Sequence, residues 1–381
     1  MSGWAVSLHT KIADIPVEDW DACAGADNPF ISHAFLSAVE DSGSATPRTG
    51  WLPQYVELRD SDSRIVAVAP AYLKSHSYGE YVFDRGWAQA FENAGGTYYP
   101  KLQIAVPFSP VPGARLLVRP DAPADTRGAL IQALAQVCEQ LDLSSAHVTF
   151  CTSQEYESLS DRGWLPRLGM QYHWHNHGYD SFDAFLEALS SRKRKVLRRE
   201  RRDANACGLD YRTYRGREIT EALWDAFFRF YHATVDRKWG QAYLTRPFFS
   251  LLSERLGDKV VLMVAEHHGT PVAGALNLLG GDTLYGRNWG CVGEWPFLHF
   301  ELCYYRAIDF AIEHGLARVE AGAQGEHKIQ RGYLPALTFS AHFIRNTGFR
   351  NAVATFLEEE RPAVMADAEA LLAFSPYRKE N

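Results

Sequence analysis

The same order of predicted elements occurs twice along the chain, and this repetition constrains the fold most strongly. In the first half, two apolar β-type runs at residues 55–60 and 64–73 flank a short polar turn. In the second half, similar runs at residues 260–266 and 271–279 flank another polar turn. Two β-type runs joined by a short polar turn are typical of a β-hairpin. The sequence therefore predicts one hairpin in each half.

Each predicted hairpin is followed, at a distance, by an amphipathic helix and a short strand. In the first half the helix is predicted at residues 129–141 and the strand at 146–150. In the second half the helix is predicted at residues 302–314 and the strand at 316–320. Hairpin, helix and strand in this order, present twice, predict a mixed α/β fold built from two similar modules.

A helical region separates the two modules. A serine N-cap begins a predicted helix at residues 181–189, and a very basic helix follows at 191–206. A strand at residues 209–214 and a helix at 219–235 come next, and residues 351–373 are predicted to be helical. The length of 381 residues suggests two domains, which we predict at residues 1–178 and 179–381.

Composition excludes several classes of protein. Apolar residues at 46% and charged residues at 22% are ordinary for a soluble globular chain. No apolar run reaches the roughly 18–20 residues that a transmembrane helix needs, and the N-terminal residues do not resemble a secretory signal. The six cysteines show no CxxC spacing, so neither a disulfide scaffold nor a zinc ribbon is expected. These observations favour a cytoplasmic protein with reduced thiols.

Positive charge is concentrated in one predicted helix. Residues 192–202 carry eight basic and one acidic side chain, a local charge of +7 in a chain of net charge −7, so the remainder carries −14. Such a field attracts polyanions, whereas the plainer interpretation is an exposed helix paired with acidic neighbours. The predicted contacts with phosphate, RNA or an acidic carrier protein are Arg192, Lys193, Arg194, Lys195 and Arg198.

The stretch from residue 318 to 333 carries the richest chemistry. Its glycines permit positive φ and close approach of the backbone to a ligand. Glu326 or His327 could accept a proton, and Lys328 and Arg331 could hold a phosphate or carboxylate. A glycine-rich connection with a solvated charged rim is the structural alternative. The substrate-binding residues predicted here are Gly322, Gln324, Gly325, Lys328 and Arg331.

Two further segments pair aromatic residues with a cation at the end of a strand. Tyr99 with Lys101, and Tyr285 with Arg287, could line a cleft that binds a sugar, a peptide or a nucleotide phosphate. Tyrosines at such positions have a structural role just as often, so a structural role for both pairs is the alternative. On the residues alone, both pairs are predicted to bind substrate.

The remaining motifs do not indicate a metal site or a nucleophilic catalytic site. His173, His175 and His177 alternate, but no carboxylate or cysteine stands at matching spacing, so a polar strand edge is expected and no metal. His299 and Cys303 lie four apart on a predicted helix, where interior side chains are expected rather than a nucleophilic pair. No GxSxG, P-loop or GxGxxG pattern is present, which argues against a hydrolase, a kinase or a dehydrogenase.

Motifs across nearly the whole chain resemble those of the FemAB-like predicted N-acyltransferases, relatives of enzymes that add amino acids to peptidoglycan precursors. They lie, in order, at residues 28–30, 35–40, 86–88, 98–102, 105–111, 191–195, 238–240, 304–308 and 320–328. The resemblance implies two tandem GNAT-like modules, with the basic helical segment at the start of the second. It also implies transfer of an acyl or aminoacyl group to an amine.

The acyl donor is not identified by the resemblance. Acetyl-CoA-dependent GNAT proteins carry a glycine-rich loop whose backbone amides hold the pyrophosphate. Residues 291–297 and 119–129 match that loop poorly, so CoA is doubtful. Aminoacyl-tRNA or an acyl-carrier protein, docked on the basic helix, are the other donors considered, and no tightly bound cofactor is expected.

Three hypotheses follow. The first is an N-acyltransferase whose small-molecule or peptide amine acceptor lies in a cleft between the modules. The second is a non-catalytic module that recognises a cell-wall precursor or nucleic acid. The third is an enzyme that uses acyl-CoA or an acyl-carrier protein. A role in peptidoglycan metabolism rests on the family resemblance alone.

Overall fold

The computed structural model describes residues 3–237, 242–322 and 325–378. By their contacts the residues form two compact units. The first contains residues 1–170 and 337–366, and the second contains residues 171–336 and 367–381. Residues 337–366 thus lie with the first unit, although the sequence places them in the second domain.

Both units contain strands and helices. The strands are β1 (Ala5–His9), β2 (Trp51–Pro53), β3 (Tyr55–Arg59), β4 (Ile65–Ala69), β5 (Ala71–Lys74), β6 (Lys101–Ile104), β7 (Leu117–Val118), β8 (Ser145–Cys151), β9 (Leu165–His175), β10 (Leu209–Arg215), β11 (Val260–His267), β12 (Thr270–Gly280), β13 (Thr283–Cys291), β14 (Arg318–Glu320) and β15 (Leu334–Ile344).

The helices are α1 (Val17–Ala24), α2 (His33–Asp41), α3 (Arg85–Asn93), α4 (Thr126–Gln140), α5 (Ser153–Ser160), α6 (Phe182–Ala188), α7 (Ser191–Asn205), α8 (Glu221–Arg237), α9 (Arg246–Leu256), α10 (Leu298–Phe300), α11 (Arg306–Glu313) and α12 (Thr347–Leu372). A π-helical turn, Glu301–Tyr305, joins α10 to α11. The helices predicted from periodicity are confirmed, and the mixed α/β class is confirmed with them.

The first unit contains two sheets. Strands β1, β3, β4 and β7 form a small antiparallel sheet. In the other, β8 pairs with β6 in parallel, β6 with β5 and β5 with β2 antiparallel, and the end of β15 pairs with β8. Apolar side chains from both sheets, among them Val66, Leu102 and Val148, form one buried core with Leu130 and Leu134 of α4.

One predicted strand is split between these two sheets. The sequence predicts a single strand at residues 64–73, but β4 ends at Ala69 and β5 begins at Ala71. Pro70 lies between them, and proline lacks the N–H that a continuous central strand would need. The chain therefore leaves the small sheet at Pro70 and enters the other, so this part of the prediction was wrong.

The second unit is built on one sheet whose strands follow the order β10, β11, β12, β13, β14 and the end of β9. Its pairs are antiparallel except for β13 with β14, which run in parallel. The hairpin predicted at residues 260–279 is confirmed as β11 and β12. Strands β9 and β15 each begin in one unit and end in the other.

The described residues contain no helix that is both long enough and apolar enough to cross a membrane.

A buried carboxylate ties helix α5 to a loop of the first unit. Thr152 and Glu155 form a capping box at the start of α5. Glu155 Oε1 also accepts the backbone N–H groups of Arg115 and Leu116, at 2.8 and 2.6 Å. Because Glu155 is only 2% exposed, water cannot replace these bonds if the carboxylate is lost.

We therefore expect Glu155→Ala to lower the free energy of unfolding by about 3 kcal/mol, since two buried donors and one helix cap lose their acceptor. Chemical denaturation would measure this change. Glu157→Ala, at an exposed position of the same helix, is the control and should change stability by less than about 0.5 kcal/mol. Equal effects of the two substitutions would contradict the assignment.

Candidate functional site

The parallel pairing of β13 with β14 is short. Among the described residues, the pairing is limited to residues 283–285 opposite residues 318–320. Directly beyond, the register between β12 and β13 shifts at a bulge between Leu276 and Asn277. A Cβ at Gly286 would lie 3.1 Å from the Glu320 carbonyl oxygen, so glycine permits the close approach of the two chains at this point.

A cavity of about 80 Å³ lies where this pairing ends. It is lined by residues from β12, from β13, from the helical segment around the π turn and by Ala321. Its polar and aromatic lining residues are Asn277, Arg287, Asn288, Trp289, His299, Cys303 and Tyr304. This mixture of aromatic and hydrogen-bonding groups is typical of a small-molecule site.

The π turn Glu301–Tyr305 brings helical side chains to the cavity. A π turn contains one residue more than an α-helical turn, and such turns are frequent at functional sites. Cys303 and Tyr304 lie in this turn, and His299 precedes it in α10. Burial raises the pKa of Tyr304 well above its ordinary value, so its hydroxyl keeps its proton at neutral pH.

The glycine-rich segment after β14 ends in a 3₁₀ turn, Glu326–Arg331, which brings His327 against Tyr304, one of the residues that line the cavity. The His327 Nε2 and the Tyr304 hydroxyl are 2.9 Å apart, within hydrogen-bonding distance. Gly325 precedes the turn with φ +113°, and a Cβ there would lie 2.5 Å from the imidazole Cε1. Glycine at position 325 is therefore needed both for the backbone and for the position of the imidazole.

Lys328 faces inward from the same turn. Its side chain is 2% exposed, and its Nζ donates to the Gly322 carbonyl at 2.8 Å. The Nζ also lies 5.9 Å from the centre of the Tyr172 ring. These contacts hold the ends of the glycine-rich segment together, although the residues between 322 and 325 lie outside the described part of the chain.

Arg331 anchors the turn to helix α7. Its Nη2 donates to both carboxylate oxygens of Glu200 at 2.9 Å, and Nη1 donates to the His327 carbonyl at 2.7 Å. The guanidinium lies 3.4 Å from the centre of the Phe300 ring. Glu200 also accepts a short hydrogen bond from the Tyr305 hydroxyl. Arg331 thus links the turn, helix α7 and the π turn through one buried ion pair.

A second group of polar residues occupies one face of the sheet. Tyr285, Glu320 and His173 lie directly opposite one another on β13, β14 and β9. Burial raises the pKa of Glu320 to about 7, although Arg318 Nε lies 3.2 Å from its Oε1. Within the described residues, Glu320 Oε2 has no hydrogen-bond partner, which agrees with a carboxyl that resists ionisation. Burial also lowers the pKa of His173 to about 3.

Most of the predicted site residues in the second unit are neighbours. Arg287 lines the cavity, His327 contacts its wall, and Gly322 accepts from Lys328. Tyr285 is buried, which raises its pKa to about 12, and Glu326 and His327 are both exposed. Gln324 and the motif at residues 238–240 lie outside the described residues. Tyr99 and Lys101 belong to the first unit, where Lys101 is completely buried.

The basic helix is confirmed as α7, and its cations differ in their partners. Arg194 and Arg198 form ion pairs with Glu187, at 2.5 and 3.8 Å, as the plainer interpretation expects. In contrast, the described part of the chain places no carboxylate within 4.0 Å of the other three predicted contacts. These are Arg192, Lys193 and Lys195.

Several site residues were not predicted from the sequence. Asn277, Trp289 and Tyr304 reach the cavity from three separate elements. Glu200 was counted only as the single acid of a basic run, yet it is the partner of Arg331. Glu200 is only 6% exposed, although α7 is rich in charged residues. The helical periodicity places Leu197, Glu200 and Ala204 on one buried face, and this pattern could have identified Glu200 from the sequence.

Among the described residues, no group of three or more His, Cys, Asp or Glu side chains could hold a metal ion.

Comparisons with known proteins agree with this architecture. A family model named FemAB-like, described as peptidoglycan biosynthesis/recognition, matches residues 11–379. No curated protein shows significant sequence similarity to the chain. The crystal structure of FemX is 11% identical with a TM-score of 0.57, and the likeness covers 92% of this chain and 100% of that chain.

Two further solved structures are similar over nearly their whole length. The C-terminal domain of a putative lysylphosphatidylglycerol synthetase from Agrobacterium fabrum is 10% identical, with a TM-score of 0.54 and coverage of 92% of this chain and 97% of that chain. L-PGS from Bacillus licheniformis is 10% identical, with a TM-score of 0.50 and coverage of 93% and 98%. The predicted fold of two tandem GNAT-like modules is confirmed.

The buried Glu320 carboxyl predicts a specific pH dependence of stability. Its pKa is raised from 4.5 to about 7, so the folded state favours the protonated form. Stability from this group is complete below pH 4.5 and is lost as the pH rises through 7. We expect Glu320→Gln, which stays neutral, to gain up to about 3 kcal/mol relative to the native chain between pH 4.5 and 8.

Urea denaturation at several pH values would measure that difference. Glu313→Gln, at an exposed position of α11, is the control and should show no comparable change with pH. A constant difference between Glu320→Gln and the native chain across this range would contradict the raised pKa.

Proposed function

Since the chain belongs to the FemAB-like family, we propose that it transfers an acyl or aminoacyl group to an amine. The observation that carries this proposal is the imidazole–phenol pair of His327 and Tyr304, whose Tyr304 member lines the cavity beside β13 and β14. The pair supplies a group that can accept a proton and a group that can donate a hydrogen bond in the same place. Amine acylation needs both.

In the proposed reaction, the amine nitrogen attacks the carbonyl carbon of an activated ester. A C–N bond forms, the carbonyl oxygen becomes an oxyanion, and the bond to the leaving oxygen then breaks. The nitrogen must lose a proton, which His327 takes, and the leaving oxygen must gain one. The Tyr304 hydroxyl keeps its proton because burial raises its pKa, so it can orient the imidazole or donate to the oxyanion.

The geometry favours His327 over Glu326 as the proton acceptor. Both residues begin the same 3₁₀ turn and both are exposed, but His327 contacts Tyr304, whereas no hydrogen bond to the Glu326 carboxylate is found in the described residues. A general base must reach the proton that it removes, so the contact of His327 with Tyr304 supports His327 in this role.

In this proposal, Lys328 and Arg331 hold the turn that carries His327 in place. Arg331 bonds the His327 carbonyl and the Glu200 carboxylate, and Lys328 bonds the Gly322 carbonyl. Together they fix the backbone on both sides of the imidazole. Positioning of this kind lowers the barrier, because the reacting groups are already arranged when the substrate binds.

For the donor, we propose aminoacyl-tRNA held in part by helix α7. Arg192, Lys193 and Lys195 are the cations that support this choice, because no carboxylate of the described residues lies within 4.0 Å of them. The description of the family favours an acceptor amine on a peptidoglycan precursor. Acyl-carrier protein and acyl-CoA are the competing donors.

Replacement of His327 tests the reaction. With aminoacyl-tRNA and a peptidoglycan-precursor amine as substrates, we expect His327→Ala to lower kcat by roughly 100-fold through loss of the proton acceptor. Glu326→Gln, one residue earlier in the same turn, should stay within about threefold of the native rate. Thermal unfolding of both variants would show that the fold is retained.

Other outcomes of this assay have definite meanings. Loss of activity in Glu326→Gln alone would move the proton acceptor to Glu326. Unchanged turnover in both variants would refute the assigned roles. Binding of the precursor without product from any of the three donors would favour the recognition module, the second hypothesis.

A salt series tests the donor. We expect the affinity for aminoacyl-tRNA to fall steeply as the salt concentration rises. The triple variant Arg192→Ala/Lys193→Ala/Lys195→Ala should reduce the slope of log K against log salt by about 2, because three phosphate contacts are removed. Arg194→Ala/Arg198→Ala is the control on the same helix. It should change the slope less, since both side chains are paired with Glu187. Absence of binding at low salt would exclude tRNA and leave the carrier protein and acyl-CoA.

A further inference from the structure

Two asparagine side chains line the cavity of the second unit without the hydrogen bonds that buried carboxamides normally make. Asn277 lies on β12 and Asn288 on β13, and both line the cavity of about 80 Å³. Asn277 is only 2% exposed. Most buried polar atoms in native proteins have a hydrogen-bond partner, so an atom without one requires an explanation.

The one hydrogen bond of the Asn277 side chain fixes the orientation of its carboxamide. Nδ2 donates to the Ala275 carbonyl at 3.1 Å, which assigns the other terminal atom as the oxygen. No hydrogen bond to Asn277 Oδ1 is found in the described residues. This oxygen lies beside Gly286, another lining residue, since a Cβ there would be 3.5 Å from it. It therefore remains an acceptor for a donor inside the cavity.

Asn288 adds a second acceptor, and a bulge brings it close to the first. Asn288 Oδ1 is buried and has no hydrogen-bond partner among the described residues. Leu276 pairs with Asn288 and Asn277 pairs with Gly286, so Arg287 is the extra residue of the bulge. Bulges often redirect side chains beside functional sites. Two acceptor oxygens from neighbouring strands suit a group that has at least two N–H donors.

Arg287 supplies hydrogen-bond donors to the same cavity. It is one of the lining residues, and no carboxylate of the described residues lies within 4.0 Å of its guanidinium. A guanidinium has five N–H donors, which carbonyl and carboxylate oxygens accept. Tyr304, whose hydroxyl keeps its proton because burial raises its pKa, belongs to the same lining. The cavity thus combines acceptors for an amino group with donors for a carbonyl group.

We propose that this cavity binds the α-aminoacyl group of the donor, with its amino group on Asn277 and Asn288 and its carbonyl oxygen on Arg287. The inference rests on the proposed function and narrows it, because a plain acyl group has no amino group to offer the two oxygens. A cavity of about 15 Å³ can hold one water molecule, so about 80 Å³ has room for the few non-hydrogen atoms of an aminoacyl backbone.

The acceptor substrate is the other possible source of an amino group. An amine of the acceptor would satisfy the oxygens of Asn277 and Asn288 but would bring no carbonyl oxygen to Arg287. It must also lose a proton when it attacks, whereas the amino group bound here keeps its N–H donors. The aminoacyl group satisfies both sets of atoms at once, and the experiment distinguishes the two sources.

Binding of small amides tests the inference without a transferase assay. The probes are glycinamide, which has an amino group and a carbonyl group, acetamide, which lacks the amino group, and ethylamine, which lacks the carbonyl group. Each probe is titrated into the full chain near neutral pH at constant ionic strength, and ligand-observed NMR gives the Kd. Thermal unfolding gives a second measurement, since a ligand that binds the folded state raises the Tm.

We expect glycinamide to bind with a Kd of about 1–10 mM, because so small a ligand makes few contacts. It should bind at least about fivefold more tightly than acetamide or ethylamine, because each of these lacks one set of hydrogen bonds.

Substitutions test the residues that we assign. Asn277→Leu and Asn288→Leu, which nearly keep the side-chain volume, should each weaken glycinamide binding about fivefold and leave acetamide binding unchanged. Arg287→Met should weaken binding of glycinamide and acetamide, but not of ethylamine. Asn351→Leu, at an exposed position of α12, is the matched control and should bind all three probes as the native chain does.

The ratio of glycinamide to acetamide affinity separates recognition from a structural role. Substitutions that only loosen the fold would weaken both probes equally, and an unchanged ratio in both asparagine variants would overturn the assignment. Equal binding of ethylamine and glycinamide would overturn the aminoacyl group in favour of the acceptor amine.

Failure of this inference is distinguishable from failure of the proposed function. Transfer from aminoacyl-tRNA by a chain that shows no saturable binding of glycinamide would overturn the inference and leave the proposed function standing. Selective binding of glycinamide by a chain that transfers from none of the three donors would support the aminoacyl site and refute the transferase.

Discussion

The candidate site depends on how briefly two parallel strands stay paired. Among the described residues, β13 and β14 pair only over residues 283–285 and 318–320, and a bulge in β13 changes its register with β12 directly beyond. The cavity lies where the ladder ends, between residues of β12, β13 and the helical segment around the π turn. The glycine-rich segment that leaves β14 then brings His327 within hydrogen-bonding distance of Tyr304, which lines that cavity.

Buried charge organises both units, in two different ways. In the second unit, Glu200 is bonded at both oxygens by Arg331 and also by Tyr305, so the ion pair is well satisfied and fixes the turn that carries His327. In the first unit, Lys74 and Lys101 lie opposite each other on β5 and β6, and the Glu80 and Asp84 carboxylates bonded to Lys101 supply the counter-charge.

Elements with strong local patterns could be predicted from the sequence. The hairpin at β11 and β12, the helices α4 and α7, and the Ser181 cap of α6 follow from alternation, 3.6-residue periodicity and cap chemistry. The prediction of one continuous strand at residues 64–73 was wrong, because Pro70 divides this segment between two sheets. The segment 337–366 packs with the first unit, a long-range choice that no local pattern records.

The sequence by itself determined the mixed α/β class, the basic helix and the cluster of chemical groups around His327, because each depends on residues close together in the chain. Tertiary structure decided which of those groups meet. Tyr304 faces His327 across 23 positions, Glu200 faces Arg331 across 131, and Lys74 faces Lys101 through strand register. Burial, and with it charge pairing and pKa, arises only when such distant segments pack together and exclude water.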